Sequence, residues 1–339
     1  MEPLPRVLVV DPRSPDARVV SEAAAVLRRG RLVALPTETV YGLAARALDP
    51  SSVARIFAAK GRPTHHPLIV HVLDEDGARA LAASWPARAS ALAQAFWPGP
   101  LTLVVERAPR LDAAVAGGGD SIALRAPSHA VARAVIEALG EPVAAPSANR
   151  YQGLSPTTAA HVVKELGAAA DLVLDAGPCH AGIESTVVDV RGATARVLRP
   201  GAISSAALRA VVPELDAGAA AVASSAPRAS PGMGLRHYAP RAQLHLAASV
   251  EAARSQSAEL AAGGTRVGLV VREASKQTTG GSIVVRVLPA DAEGYARALY
   301  GALHELDDAG VGAIVVHEAP AEEAWWAVAD RLRRASQRE

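Results

Sequence analysis

One early stretch constrains the fold more than any other. Residues 51–60 carry apolar side chains at helical spacing, and Ser51 is predicted to cap this helix. Gly61 stands where a C-terminal cap is expected, and Pro63 prevents the helix from continuing. Residues 68–73, Leu-Ile-Val-His-Val-Leu, are short, apolar and rich in β-branched side chains, which indicates a buried strand. A helix, a loop and a buried strand in direct succession are typical of an α/β sheet.

Short apolar runs and helical patterns alternate along the rest of the chain. Strands are predicted, for example, at residues 31–35, 101–105 and 121–125. Residues 184–190 and 195–199 have the pattern of two hairpin strands, so the sheet is not expected to be purely parallel. The predicted fold class is α/β, with a twisted, mixed, open sheet and flanking helices.

A change in composition divides the chain. Residues 217–230 are almost wholly Ala, Gly, Ser, Val and Pro, which predicts a linker. The segment Ser-Pro-Gly-Met-Gly-Leu-Arg-His-Tyr-Ala-Pro, residues 230–240, carries large amphipathic side chains that favour docking onto a surface, and it is predicted to act as a lid. The predicted organisation is a catalytic domain (1–205), a linker with this lid segment (206–241) and a smaller Rossmann-like α/β domain (242–339).

The composition bounds the class of protein. With 35 Lys plus Arg and 34 Asp plus Glu in 339 residues, the formal net charge of +1 does not indicate a nucleic-acid-binding protein. The single cysteine, Cys179, excludes an internal disulfide and a cysteine-based metal site. Residues 1–6 lack the apolar core of a signal peptide, and no apolar run reaches membrane-spanning length. A cytoplasmic protein is therefore expected.

Two rare residue types stand out. Lysine occurs only at Lys60, Lys164 and Lys276, and Asn149 is the one asparagine in a chain dominated by Ala, Arg, Gly and Pro. Lysine is a compact, flexible charge that arginine does not mimic, and asparagine combines a donor with an acceptor. We hypothesise that such residues persist where their geometry is needed.

Polar side chains follow several of the predicted strands. The sequence Pro-Thr-Glu-Thr-Val-Tyr-Gly (36–42) comes directly after a buried strand, where ligands bind in open α/β sheets, although a simple turn is the alternative. Arg125 ends an apolar strand and needs a partner, which a ligand carboxylate or an internal Asp or Glu could equally supply. Lys60 and Arg62 could bind an anion or only cap their helix.

These cations and hydrogen-bond donors, together with Ser121, Ser147 and Asn149, suit phosphates and carboxylates. No paired carboxylates, Gly-x-Ser-x-Gly elbow or P-loop accompanies them. The residues alone therefore predict an anion-binding α/β enzyme that transfers a phosphorylated group by positioning rather than by covalent catalysis.

The sequence also resembles the YrdC-type L-threonylcarbamoyladenylate synthases, in their two-domain form. Five motifs in order carry the resemblance over about residues 10–200: Pro-Thr-Glu-Thr-Val-Tyr-Gly from residue 36, Lys-Gly-Arg-Pro from 60, Pro-Leu-Ile-Val-His from 67, Trp-Pro-Gly-Pro-Leu-Thr from 97 and Pro-Ser-Ala-Asn from 146. The segment 230–240 and the C-terminal domain resemble the longer members. The resemblance implies a YrdC-like sheet in the first domain.

The resemblance implies a nucleotidyltransferase that forms L-threonylcarbamoyladenylate and pyrophosphate from L-threonine, bicarbonate and ATP, with Mg²⁺ accompanying the nucleotide. Partner proteins would then place the threonylcarbamoyl group on the adenosine beside certain tRNA anticodons, and no membrane is involved. The alternative reading is a module that binds double-stranded RNA or tRNA and has no synthase activity of its own.

The resemblance also implies roles for individual residues. L-Threonine would be bound by residues at strand ends and in loops, namely Thr39, His71, Arg125, Ala145 and Ser185. ATP would be bound by Arg62, His66, Ser121, Ser147, Ser155, Arg199 and Tyr238. The catalytic residues would be Lys60, Arg62 and Asn149, close to the phosphates, and no metal ligand is assigned to a protein side chain. His66 stands where the family often has asparagine.

Overall fold

The computed structural model describes residues 4–218, 237–272 and 281–337, and these divide into two compact units. The first unit comprises residues 4–151 and 156–218, and the second comprises residues 152–155, 237–272 and 281–337. Residues 219–236, which include most of the predicted linker and the first part of the lid segment, lie outside the described residues. The limits of the predicted domains stay a prediction.

The first unit is built on a mixed sheet. Its described strands are β1 (Arg6–Val9), β2 (Val33–Leu35), β3 (Gly42–Arg46), β4 (Ile69–His71), β5 (Leu101–Glu106), β6 (Ser121–Arg125), β7 (Val143–Ala144), β8 (Leu172–Asp175), β9 (Thr186–Asp189) and β10 (Arg196–Arg199). They lie in the order β1-β8-β2-β3-β7-β4-β6-β5-β9-β10. Parallel pairs such as β4–β6 stand beside antiparallel pairs such as β5–β6, and β9–β10 is the predicted hairpin. The α/β prediction with a mixed sheet is confirmed.

Helices flank this sheet. They are α1 (Ala17–Arg28), α2 (Pro50–Lys60), α3 (Glu75–Arg79), α4 (Ala87–Phe96), α5 (Ala130–Leu139), α6 (Ala159–Leu166) and α7 (Ser205–Val211), with short 3₁₀ turns at Ala113–Ala116 and Gly167–Ala169. Helix α2 ends as predicted, with Gly61 in the left-handed conformation at φ 60°. Its predicted N-cap is wrong. The cap is Asp49, whose carboxylate accepts a hydrogen bond from the backbone N–H of Ser51.

One hydrophobic core of the first unit lies between helices α1 and α5 and one part of the sheet. Leu27 on α1 and Val135 on α5 pack with Val33, Val143 and Leu174 from three strands. All five side chains are fully or almost fully removed from water. Burial of each such side chain contributes roughly 1.5–3 kcal/mol to the stability of the fold. This packing holds in place the strands whose ends carry the polar residues.

The second unit is a smaller α/β structure. Its described elements are β11 (Gln243–Ala247), α8 (Val250–Ala262), β12 (Val267–Val271), β13 (Ile283–Val287), α9 (Ala292–Asp308), β14 (Ala313–His317), a 3₁₀ turn (Glu323–Trp325) and α10 (Trp326–Ala335). The strands form a parallel sheet in the order β11-β14-β12-β13. The parallel order agrees with a Rossmann-like arrangement.

Candidate active site

The carboxyl ends of strands β4 and β6 bring two predicted site residues together. The strands are parallel neighbours, and His71 is paired directly with Arg125. The Arg125 guanidinium is held at two of its nitrogens, because Nη1 donates to Thr39 Oγ1 at 2.9 Å and Nε donates to the carbonyl of Gly99 at 3.3 Å. Thr39, His71 and Arg125 therefore form one buried cluster.

The loop after β2 is ordered by its hydroxyl groups. Thr37 Oγ1 donates to the carbonyl of Val40 at 2.6 Å and lies 2.9 Å from Thr39 Oγ1. Since the Thr37 proton is used on Val40, Thr39 donates to Thr37 and is left with its oxygen as an acceptor for Arg125. The simple-turn alternative for this loop is therefore incomplete, because the turn also orients a buried guanidinium.

An internal carboxylate, Glu38, lies beside Arg125. Glu38 Oε1 is 2.8 Å from Arg125 Nη2, and both side chains are almost completely buried. Burial raises the pKa of Glu38, but the charge of Arg125, together with the Arg125 and backbone N–H groups close to the carboxylate, outweighs burial and holds that pKa below its usual range. Of the two partners that the sequence left open for Arg125, the internal glutamate is present in the fold.

His71 is an uncharged member of this cluster. It is buried, and its Nδ1 has no hydrogen-bond partner among the described residues. Burial lowers the pKa of His71 to about 3, and the charge of Arg125 adds to the effect. The imidazole is therefore neutral at physiological pH and can exchange hydrogen bonds with a ligand without adding a charge.

Ala145 and Ser185 lie around the same cluster. The Ala145 N–H donates to the carbonyl of Ile69 at 3.0 Å, which places Ala145 beside strand β4. Ser185 Oγ lies 2.7 Å from Thr102 Oγ1 on strand β5 and accepts from Arg199 Nη2 at 3.0 Å. Arg199 also donates to the Ser185 carbonyl, so one predicted ATP residue directly supports one predicted threonine residue.

The predicted catalytic residues Lys60 and Asn149 are in contact. Lys60 Nζ donates to the carbonyls of Ser147, at 2.5 Å, and of Asn149. In return, the Tyr151 N–H donates to the Lys60 carbonyl at 2.8 Å. Burial holds the pKa of Lys60 well below its usual value, and the nearby charge of Arg62 acts in the same direction. Lys60 thus links the end of helix α2 to the loop after β7 from a buried position.

Arg62 and His66 share an aromatic neighbour. The Arg62 guanidinium lies 5.9 Å from the ring centre of Tyr151, and the His66 ring centre lies 5.3 Å from it. Arg62 Nη2 also donates to the carbonyl of Pro67 at 3.0 Å. The loop between α2 and β4 is thereby folded over Tyr151, with both predicted ATP residues in it.

Ser121 lies apart from the threonine residues of the first unit. It begins strand β6, whereas Arg125 ends it, so the two are separated by roughly 13 Å along the strand. By the register of β4 and β6, Ser121 lies level with Pro67, next to His66 and to the carbonyl that Arg62 contacts. Ser147 lies near Lys60, because its carbonyl accepts a hydrogen bond from Lys60 Nζ. Ser147 also forms an isolated bridge with Gly42.

Ser155 and Tyr238 belong to the second unit. The carbonyl of the fully buried Ser155 lies 3.2 Å from His304 Nε2. Tyr238 is buried, has a φ of 59°, and its ring centre lies 4.9 Å from the Arg331 guanidinium and 6.1 Å from the ring centre of Tyr300. Most of the lid segment lies outside the described residues, so its role as a lid stays a prediction.

Three residues near the predicted sites were missed from the sequence. Glu38 contacts Arg125, Thr102 contacts Ser185, and Tyr151 contacts both Arg62 and His66. Glu38 carried a usable signal, because it is the one carboxylate in the loop after β2 and a buried Arg125 needs a partner. The pairings of Thr102 and Tyr151 depend on strand order and loop folding, which the local sequence does not specify.

Membrane-spanning helices and metal-binding clusters are both absent from the described part of the chain. No helix in it is long and apolar enough to cross a membrane. Within the same residues, no group of three or more His, Cys, Asp or Glu side chains is arranged to hold a metal ion.

Comparison with known proteins defines the family. Residues 25–201 match the family model described as telomere recombination, and residues 203–337 match that of the threonylcarbamoyl-AMP synthase C-terminal domain. The chain is 39% identical to the threonylcarbamoyl-AMP synthase of Pyrococcus abyssi over 93% of each chain. It is 36% identical to that of Bacillus subtilis, over 97% of this chain and 96% of the relative. The crystal structure of P. abyssi Sua5 complexed with L-threonine matches with a TM-score of 0.89 at 36% identity, over 97% of each chain.

The two-unit α/β fold and the similarity to threonylcarbamoyl-AMP synthases over nearly the full length define an α/β transferase. The chain belongs to the threonylcarbamoyl-AMP synthase family. The predicted family, enzyme class and synthase function are thereby confirmed. The roles of individual residues remain predictions.

Proposed function

We propose that this chain condenses L-threonine, bicarbonate and ATP into threonylcarbamoyl-AMP and pyrophosphate. The observation that carries the proposal is the buried Arg125, whose Nη1 and Nε are held by Thr39 and Gly99 at the end of β6. A fixed, buried guanidinium can bind a carboxylate through charge-assisted hydrogen bonds. The structure of P. abyssi Sua5, a relative of similar length, was determined in complex with L-threonine.

Threonine would lie at the ends of strands β4 and β6. Arg125 would hold its carboxylate, while neutral His71 and the hydroxyls of Thr39 and Ser185 would take its remaining polar groups. Ala145, with only a methyl side chain, would leave room for the ligand beside β4. This arrangement would hold the amino group still while it loses a proton and reacts with bicarbonate to give the carbamate and water.

ATP would be held by the cations of the first unit. In the proposed transfer step, a carbamate oxygen attacks the α-phosphorus and pyrophosphate leaves, so negative charge builds on the phosphoryl oxygens. Arg62 and Arg199 would face this charge, with Lys60 and Asn149 next to the phosphates. Removal of one such contact should cost about 3 kcal/mol of transition-state stabilisation.

The remaining ATP assignments follow from the family resemblance. His66 and Ser147 lie near Arg62 and Lys60 respectively, in loops that the contacts above fix in place. Ser121 would contact another part of the nucleotide, and the roles of Ser155 and Tyr238 and of the lid segment remain those that the resemblance implies.

Mg²⁺ would be bound to the phosphates of ATP when the nucleotide binds. Mg²⁺ is usually bound through one or two carboxylates and the phosphates of the substrate, so ATP would bring the ion into the site. When bound, the ion would neutralise charge on the leaving pyrophosphate. The chain's own part would be to hold the phosphates with Arg62, Arg199 and Lys60.

The product would serve tRNA modification. A mixed anhydride of a carbamate with AMP is an activated acyl donor, so a further transferase must consume it, and we propose that partner proteins pass the threonylcarbamoyl group to tRNA adenosine. We propose that the enzyme acts in the cytoplasm, where its substrates and tRNA are available.

The proposal is tested by product formation. The full chain is incubated with ATP, L-threonine, Mg²⁺ and ¹⁴C-labelled bicarbonate, and the nucleotides are separated. We expect a labelled adenylate and pyrophosphate in equal amounts, and neither when threonine is omitted. Binding of double-stranded RNA without any labelled adenylate would instead support the RNA-binding module.

A further inference from the structure

The contact between Glu38 and Arg125 has no task in the function proposed above. Glu38 Oε1 is 2.8 Å from Arg125 Nη2, yet neither Glu38 oxygen nor Nη2 forms a well-aligned hydrogen bond with any described group. The backbone N–H groups of Glu38 and Ser128 lie close to the carboxylate, but Glu38 Oε1, Oε2 and Arg125 Nη2 all keep capacity for a further, well-aligned hydrogen bond. Such atoms cost free energy in a native protein unless a ligand or water uses them.

The charges around this contact balance. Arg125 is positive and Glu38 is negative, while the pKa of about 3 leaves His71 neutral. Burial raises the pKa of the Cys179 thiol and lowers the pKa of His129, so both of these neighbours are also uncharged near pH 7. The site therefore has no net charge, but it has one positive and one negative end.

An amino acid zwitterion has the complementary pattern, because its ammonium and carboxylate groups are attached to the same carbon atom. We propose that Glu38 binds the α-ammonium group of L-threonine while Arg125 binds its carboxylate, and that the pair selects zwitterions over simple anions. This inference rests on the proposed function, since it assumes that threonine occupies the ends of β4 and β6.

The selection matters because the other substrates are anions. Bicarbonate, ATP and pyrophosphate would each be attracted to an isolated buried guanidinium. Glu38 repels a ligand that carries only negative charge, and it attracts one that also brings an ammonium group. The pair would thus keep the threonine position free of the reaction's other anions.

A simpler explanation is that Glu38 only occupies Arg125 until a carboxylate displaces it. The two explanations predict opposite results when the charge of Glu38 is removed. If Glu38 is a competitor, its neutralisation tightens threonine binding. If Glu38 binds the ammonium group, its neutralisation weakens threonine binding and favours anions.

The first test needs no variant. Binding of L-threonine and of 3-hydroxybutyrate, which lacks the amino group, is measured by calorimetry on the full wild-type chain. We expect 3-hydroxybutyrate to bind at least about tenfold more weakly than threonine, since a charge-assisted hydrogen bond is lost. Equal dissociation constants would overturn the inference. Failure of wild-type threonine binding altogether would instead count against the proposed function.

The second test uses Glu38→Gln, which keeps the size of the side chain. We expect the dissociation constant for threonine to rise about tenfold or more, and the preference for threonine over 3-hydroxybutyrate to fall by a similar factor. Glu141→Gln is the matched control, because Glu141 pairs with Arg46 outside the site. It should leave both dissociation constants unchanged.

General damage to the site would weaken both ligands alike and leave their ratio unchanged. An unchanged ratio in Glu38→Gln, or tighter threonine binding, therefore contradicts the inference. If Glu38→Gln does not fold, Glu38→Asp retains the charge at a shorter reach, and it should keep the preference for the zwitterion while it weakens threonine binding. Loss of the preference in Glu38→Asp would contradict the inference as well.

Discussion

Several ionisable side chains of the candidate site are buried in the first unit. Arg125, Glu38, His71 and Lys60 are all removed from water almost completely. Removal of charge from water is costly, and such groups persist in folds mainly where they are paired or where function requires them. Glu38 and Arg125 compensate each other, whereas His71 and Lys60 respond through lowered pKa values.

The lowered pKa of His71 predicts a pH dependence of stability. The folded-state pKa is about 3 and the ordinary value is 6.5, so between these limits the unfolded state binds more protons. The contribution of His71 is complete above about pH 6.5 and is lost as the pH falls towards 3, by up to about 1.4 kcal/mol per pH unit. Urea unfolding at pH 5 and pH 7.5 measures the difference.

The His71→Gln variant isolates this contribution, because Gln does not titrate. We expect the variant to lose less unfolding free energy than the wild type between pH 7.5 and pH 5. An equal loss in both proteins would show that other groups cause the acid sensitivity.

Lys60 is predicted to be essential and irreplaceable by an uncharged side chain. In Lys60→Met the donors to the carbonyls of Ser147 and Asn149 disappear, together with an amine next to the proposed phosphate site. We expect kcat/KM for ATP to fall by about 10²–10³. Lys164→Met removes the exposed lysine of helix α6 and should leave kcat/KM unchanged. Equal activities of the two variants would contradict the proposed role.

The sequence indicated candidate site residues, but it did not indicate which residues they contact. The rarity of Lys60 and Asn149 pointed to them, and the structure places Lys60 Nζ on the Asn149 carbonyl. Glu38 was overlooked as the partner of Arg125, because the two are far apart in sequence and meet only through the order of the strands.

At the scale of elements, the loop that carries His66 depends on a glycine in another loop. Gly117 has a φ of 65°, and a Cβ atom there would lie 2.5 Å from the His65 carbonyl oxygen. The Leu68 N–H donates to the Val115 carbonyl at 2.9 Å, so the two loops are held together. Only glycine allows this approach.

We therefore expect Gly117→Ala to destabilise the protein by about 2–4 kcal/mol and to raise the KM for ATP. Gly118→Ala is the matched control, because Gly118 also has a positive φ, of 85°, but no atom lies within 4 Å of its added Cβ. It should cost only about 1 kcal/mol. Thermal unfolding and ATP kinetics of both variants provide the comparison, and equal costs would show that the close approach to His65 is unimportant.

Regular elements were predictable where the local sequence was decisive. Strands β5 and β6 lie where the sequence predicts them, at residues 101–105 and 121–125, because short apolar runs bounded by turn residues are decisive there. Strand β3 was missed, because Gly-Leu-Ala-Ala-Arg has no β-branched residue and is a strand only through its neighbours β2 and β7.

At the scale of the whole molecule, two units each have a core of their own. Leu27 and Val135 belong to the core of the first, and Leu269 and Val315 to that of the second. The sequence predicted two α/β domains from the change in composition. It could not predict that residues 152–155 pack with the second unit, because this assignment depends on contacts such as that of the Ala239 N–H with the Gln152 carbonyl.

The central claim is that Arg125 binds the carboxylate of threonine, and that threonine then condenses with bicarbonate and ATP to form the adenylate. ATP–pyrophosphate exchange tests it most directly, because exchange requires reversible formation of the adenylate. We predict that the wild-type chain catalyses exchange only when threonine and bicarbonate are both present. Arg125→Gln should need on the order of 100-fold more threonine for half-maximal exchange. No exchange at any threonine concentration, or exchange without threonine, would contradict the account.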